Sequence, residues 1–128
     1  MAKIDEKIDI LPDIEMYGGN NDEWVVQLYK PNGQRYEYSD LATKNCSFNL
    51  VIKDFGYVHR STATNFTLTK TGALRLDDDG FSANAVFDLE TGDTLAAWGK
   101  FTYQIEMVCA GTKQAAQGNL FIKKNINQ

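Results

Sequence analysis

The stretch 92-GDTLAAWGKFTYQIEM-107 decides the fold. From Phe101 it alternates strictly, with Phe101, Tyr103, Ile105 and Met107 set against Thr102, Gln104 and Glu106. That period of two is the mark of a half-buried β-strand. Just before it, Thr91 or Asp93 can cap one helical turn, and Gly99 can end that turn in the left-handed conformation. Leu95 and Trp98, three apart, then face the same way. Trp98 is accordingly expected to close one end of a β-sandwich and not to be displayed for binding.

The same alternation recurs on both sides. In 23-EWVVQLY-29, Trp24, Val26 and Leu28 share a face, and 30-KPNGQ-34 supplies a hairpin turn whose Asn32-Gly33 pair suits positive φ. Tyr36 and Tyr38 point to one side as the chain resumes. In 46-CSFNLVIKD-54, Cys46, Phe48, Leu50 and Ile52 oppose Ser47, Asn49, Val51 and Lys53. The segment 55-FGYVHRSTATNF-66 is the least periodic and reads as a strand end and a polar loop. Phe66 and Leu68, then Leu74 and Leu76, give short alternating runs. Phe81, Ala83, Ala85, Phe87 and Leu89 follow on one parity after a turn at Asp77-Asp78-Asp79-Gly80. The stretch 110-AGTKQAAQG-118 reads as a connection to a last strand carrying Leu120 and Ile122. About seven to eight short strands separated by turn signals predict an all-β antiparallel sandwich.

A chain of 128 residues is one domain by length and can bury a sizeable core. Its 43% hydrophobic and 23% charged residues are ordinary globular values. The net charge of −4, with scattered Lys and Arg, argues against a nucleic-acid surface, which needs a basic stripe. No apolar run approaches the length of a membrane span. Asp5, Glu6, Asp9 and Asp13 interrupt any signal-peptide core, so synthesis in the cytoplasm without a leader, or for an assembly that leaves the cell by another route, is expected.

Little in the chain advertises chemistry. The single histidine, His59, lies in the irregular middle, and no G-x-S-x-G elbow accompanies it. Gly18-Gly19-Asn20-Asn21 is a turn before a strand and not a phosphate loop. Aligning Gly80 with the fixed glycine of an EF-hand loop places Arg75 and Val86 at ligand positions, which excludes that motif. No catalytic residue, cofactor or metal ligand is assigned, and no enzyme is expected.

Cys46 and Cys109, 63 residues apart, match the separation of an immunoglobulin inter-sheet bridge. The accompanying pattern fails, because Trp98 precedes the second cysteine and Met107 stands where a tyrosine belongs. The expectation is two buried, reduced thiols used as small apolar fillers.

The pattern Gly19 before Glu23–Leu28, Asn32-Gly33, Asp40-Leu41, Thr91–Leu95, Gly99 with Phe101 and Tyr103, and Gly118 with Leu120 and Ile122 resembles the N-terminal domain of phage baseplate upper proteins. The likeness spans roughly residues 8 to 126, with Gly19-Asn20-Asn21 in place of the usual Gly-Asp-Thr. It implies an immunoglobulin-like β-sandwich and a non-enzymatic virion component of a phage or prophage tail. Its partners would be other tail or baseplate proteins, with a homo-oligomer as one form, and neither nucleic acid nor membrane.

Residues 1–13 are expected to be an arm ordering on a partner or, alternatively, the first strand of the sandwich formed by 14–128. Ile4, Ile8, Ile10 and Leu11 in that segment, and Tyr17, Tyr29 and Tyr57 beyond it, are the candidate partner-binding residues. The alternative function is a small carbohydrate-binding module for host cell-wall glycans, with exposed tyrosines as stacking rings.

Overall fold

The computed structural model describes residues 2–4, 11–30, 32–54, 67–94 and 98–124. Nine strands lie in two sheets, with two short helical segments among the described residues. The chain order is β1 (Ala2–Ile4), β2 (Ile14–Tyr17), β3 (Asp22–Gln27), α1 (Tyr38–Thr43), β4 (Ser47–Asp54), β5 (Thr67–Thr71), β6 (Ala73–Leu76), β7 (Ala83–Leu89), α2 (Thr91–Thr94), β8 (Gly99–Cys109) and β9 (Thr112–Lys123). One sheet has the order β1-β3-β7-β6 and the other β2-β9-β8-β4-β5. The all-β sandwich expected from alternation is therefore the fold. The runs β3-β7-β6 and β9-β8-β4-β5 reproduce the B-E-D and G-F-C-C′ neighbourhoods of an immunoglobulin sandwich.

Two pairings depart from a wholly antiparallel arrangement. β1 runs parallel to β3, and β2 runs parallel to β9, with Met16 opposite Ile122. β2 feeds the turn into β3 at the end of the sandwich where β9 finishes, and the Gly18 N–H donates to the Lys123 carbonyl at 2.9 Å. Both strands must therefore point toward that end.

The core is built from the predicted parities. Trp24, Val26, Leu28, Phe48, Leu50, Ile52, Ala83, Ala85, Phe87, Leu89, Phe101, Tyr103, Ile105, Met107, Leu120 and Ile122 are all buried. At its centre the Trp24 and Tyr103 rings meet edge to face, 5.3 Å between centroids. These two residues sit on the strands equivalent to B and F, so an aromatic contact joins the sheets where antibody domains place a disulfide. The Trp24 Nε1–H donates to Asp22 Oδ2 at 3.1 Å, and the Tyr103 hydroxyl donates to the Pro12 carbonyl at 2.6 Å. Each ring thus keeps its polar atom partnered while its body is buried.

Four local expectations are corrected. The 110–118 segment is not a loop: the turn is only Ala110-Gly111, both at positive φ (48° and 84°), and β9 begins at Thr112. Two consecutive left-handed residues are what a two-residue hairpin needs, and the polar composition of 112–118 marks a sheet edge region and not a connection. Among the described residues of the first hairpin, only Gly33 takes positive φ (92°), and its N–H donates to the Lys30 carbonyl at 2.9 Å. The Lys30 N–H also donates to the Gln34 carbonyl, giving a three-residue loop with a glycine bulge. After it, Tyr38 opens helix α1, whose only buried side chain, Leu41, seals that end of the core. Finally, Phe81 and Leu76 are 58% and 46% exposed despite their core parity. They flank the Asp77–Gly80 turn, where the sheets no longer oppose each other.

Candidate functional site

Part of the outer face of the four-stranded sheet is covered by the chain's own charged side chains. Val25 and Val86 point outward from the four-stranded sheet, yet are nearly buried. The Arg75–Glu23 ion pair (3.1 Å) runs diagonally over Val86, so the aliphatic stems do the covering. Arg35 is a second organiser. Its guanidinium donates to Asp77 Oδ2, the Ala83 carbonyl and Asn84 Oδ1 at 3.1, 2.9 and 2.7 Å, and its Nε donates to the Leu28 carbonyl. It also lies 5.4 Å from the Tyr29 ring centroid. These bonds tie the first hairpin to β7 and to the acidic turn.

The acidic turn is internally satisfied. Asp79 accepts bonds from the Ser82 hydroxyl and from the Ser82 and Phe81 N–H groups. Those donors hold its pKa down at about 2, the Ser82 hydroxyl foremost. Asp77 is held low by the Asp78 N–H first, against some burial, with Arg35 adding to the effect. The turn is built by its aspartates as hydrogen-bond acceptors. Among the described residues no cluster of His, Cys, Asp or Glu is arranged to hold a metal ion, and no helix is long and apolar enough to cross a membrane.

Among the described residues, the predicted partner-binding residues Leu11, Tyr17 and Tyr29 do not come together. Leu11 is in the core at 5% exposure, and its N–H donates to the Gln117 carbonyl at 2.9 Å. Ile4 lies in β1 opposite Val26. Ile8, Ile10 and Tyr57 fall outside the described residues, as does His59. Tyr17 is 51% exposed at the end of β2, with Lys123 Nζ 5.6 Å from its ring centroid. Tyr29 stands at the opposite end, bridged to Arg35 and partly covered by it. Trp98 is partly buried and packed against the core, with Lys124 over its ring at 5.6 Å, consistent with an end plug.

Two features escaped the sequence. One is the apolar pair Leu76 and Phe81, which flank the hairpin joining edge strand β6 to β7. The Phe81 carbonyl accepts from the Tyr38 N–H, so this pair adjoins helix α1. Phe81's position directly after Asp-Asp-Asp-Gly is the one available sequence signal that it belongs to the turn. The other is the pairing of the cysteines.

Cys46 and Cys109 are joined by a disulfide, Cα to Cα 4.3 Å, and both are only partly buried. The expectation of two reduced thiols is therefore wrong for this structure, and so is the inter-sheet analogy. Ser47 pairs with Val108 across β4 and β8, so the next residues outward face each other on neighbouring strands of one sheet. Beside the bridge is a pocket of about 230 Å3 lined by Tyr36, Leu41, Lys44, Met107, Cys109, Ala110, Thr112 and Gln114. The Tyr36 hydroxyl and Gln114 Oε1 are 3.1 Å apart along its wall. Among known proteins, no family model and no curated sequence matches this chain.

Proposed function

We propose that the chain is a non-enzymatic assembly module that acts by protein–protein contact, as a structural component of a phage or prophage tail. The assembly part of this reading is supported by the outer strand of the four-stranded sheet. Strand β6 is a four-residue edge with an exposed-intermediate-exposed-exposed pattern, and Leu76 and Phe81 present apolar groups where it turns into β7. Large apolar side chains beside a strand edge that no other described strand pairs with suit a contact that combines strand addition with anchoring in a partner's pockets. The tail assignment rests on the resemblance of the turn and strand motifs from Gly19 to Ile122.

The single observation that carries the contact surface is the joint exposure of Leu76 and Phe81. The test is the variant Leu76→Ser/Phe81→Ser, expressed in place of the wild type in the source cells during particle production. The expected result is a folded protein with unchanged melting that no longer cosediments with particles. Undiminished incorporation would remove this edge from the interface.

A further inference from the structure

We propose that the Cys46–Cys109 bridge is a thiol-exchange site, opened from the adjacent pocket by a low-molecular-weight thiol that attacks Cys109. Three observations converge on it. Both cysteines are partly exposed, and Cys109 lines a pocket whose wall includes the exposed residues Lys44, Ala110 and Thr112, so solvent reaches the sulfur's surroundings. Among the described residues, the only non-glycine positions at positive φ are Asn45 (54°) and Ala110 (48°). One immediately precedes Cys46 and the other immediately follows Cys109. Ala110 takes this conformation as half of the two-residue hairpin turn and Asn45 as the residue that follows the end of α1, so the bridge spans two tight turns. The bridge joins the segments carrying these two residues.

The elements tied together are the exit of α1 and the β8–β9 hairpin. The Cys46 N–H donates to the Leu41 carbonyl at 3.4 Å and the Asn45 N–H to the Ala42 carbonyl at 3.2 Å, so Cys46 continues directly from the helix end. Partly exposed disulfides are more open to exchange than buried ones.

In the exchange, a thiolate forms a bond to Cys109 Sγ as the Cys46–Cys109 bond breaks, and Cys46 leaves as a thiolate that takes a proton from water. A second thiol molecule then attacks the mixed disulfide, which releases Cys109 as a thiolate and carries the external thiol away oxidised. Lys44 is the cation at the pocket wall, partnered by Asp40 at 3.5 Å with both side chains exposed. It favours thiols that carry carboxylates.

The experiment incubates the full folded chain with glutathione or with neutral 2-mercaptoethanol in native buffer, quenches with acid, and maps adducts by peptide mass spectrometry. The expected adduct is on Cys109, formed faster than the chain unfolds globally. Lys44→Glu should lower the glutathione rate relative to the 2-mercaptoethanol rate by about threefold to tenfold, the size of one reversed charge near the solvent boundary. The ratio of the two rates cancels any general loosening caused by the substitution. Adducts mainly on Cys46, exchange only at the global unfolding rate, or an unchanged ratio in the variant would each overturn the proposal.

Discussion

Replacing Gly118 with alanine probes how the N-terminal segment is held to the sandwich. A Cβ at this position would lie 2.8 Å from the Leu11 carbonyl oxygen, 3.0 Å from Tyr103 Cε1 and 3.1 Å from Leu11 Cβ. None of these neighbours is the loose end of a flexible side chain. The Tyr103 ring is fixed by Trp24 on one side and by its hydroxyl bond to the Pro12 carbonyl on the other. The Leu11 backbone is fixed by its bond to Gln117. Relief therefore requires the Leu11–Pro12 segment to lift away from β9. Overpacking of this kind costs about 1–3 kcal/mol, and weakening the Tyr103–Pro12 bond adds about 1 kcal/mol. A total near 2–4 kcal/mol corresponds to a fall in Tm of roughly 6–15 °C for a chain of this size. Differential scanning calorimetry measures it, and limited proteolysis should cut near residues 11–13 sooner in the variant. A Tm within about 1 °C of the wild type, with unchanged proteolysis, would refute the close approach. Tyr103→Phe supplies the control: it should cost only about 1 kcal/mol and be non-additive with Gly118→Ala.

Other outcomes follow from single features. Gly72→Ala sets a Cβ 2.6 Å from Phe87 Cε1, a ring wholly inside the core, and should cost about 1–3 kcal/mol in urea unfolding. Denatured protein kept free of reductant should show no titratable thiol. Cys46→Ala/Cys109→Ala should lose about 2–4 kcal/mol, since the bridge closes a long loop. Asp79, whose pKa falls from 3.8 to about 2 on folding, contributes stability above its unfolded pKa that is lost as pH drops through its folded one. The urea midpoint difference between wild type and Asp79→Asn should therefore narrow from about pH 5 to about pH 2, and a constant difference would contradict the assignment.

The strands were legible because alternation and burial coincide wherever two sheets face each other. Phe48 to Ile52 and Phe101 to Met107 show this, whereas Ala83 to Phe87 is buried on both faces. Legibility failed where the second sheet is missing. Thr112 to Gln117 pairs fully with β8 yet carries polar and small residues, because a strand's hydrogen bonds do not need an apolar side chain. Phe81 kept core parity but falls within the turn, and parity says nothing of where a sheet stops. Helix α1 holds six residues and a single buried side chain, too little for a periodic signal. The disulfide depended on the register between β4 and β8, a long-range fact that no local pattern contains. The candidate surface at Leu76 and Phe81 was hidden for the same reason, since both residues look like core in a one-dimensional reading.

The central claim, that the chain works by joining a larger assembly, meets its most direct test in particle sedimentation. Lysate of the source cells is fractionated under conditions that induce phage particles, and the chain is quantified by mass spectrometry beside the other particle proteins. The account predicts cosedimentation with large particles at a fixed stoichiometry. Recovery only in the slowly sedimenting fraction would contradict it and would bring the glycan-binding reading forward.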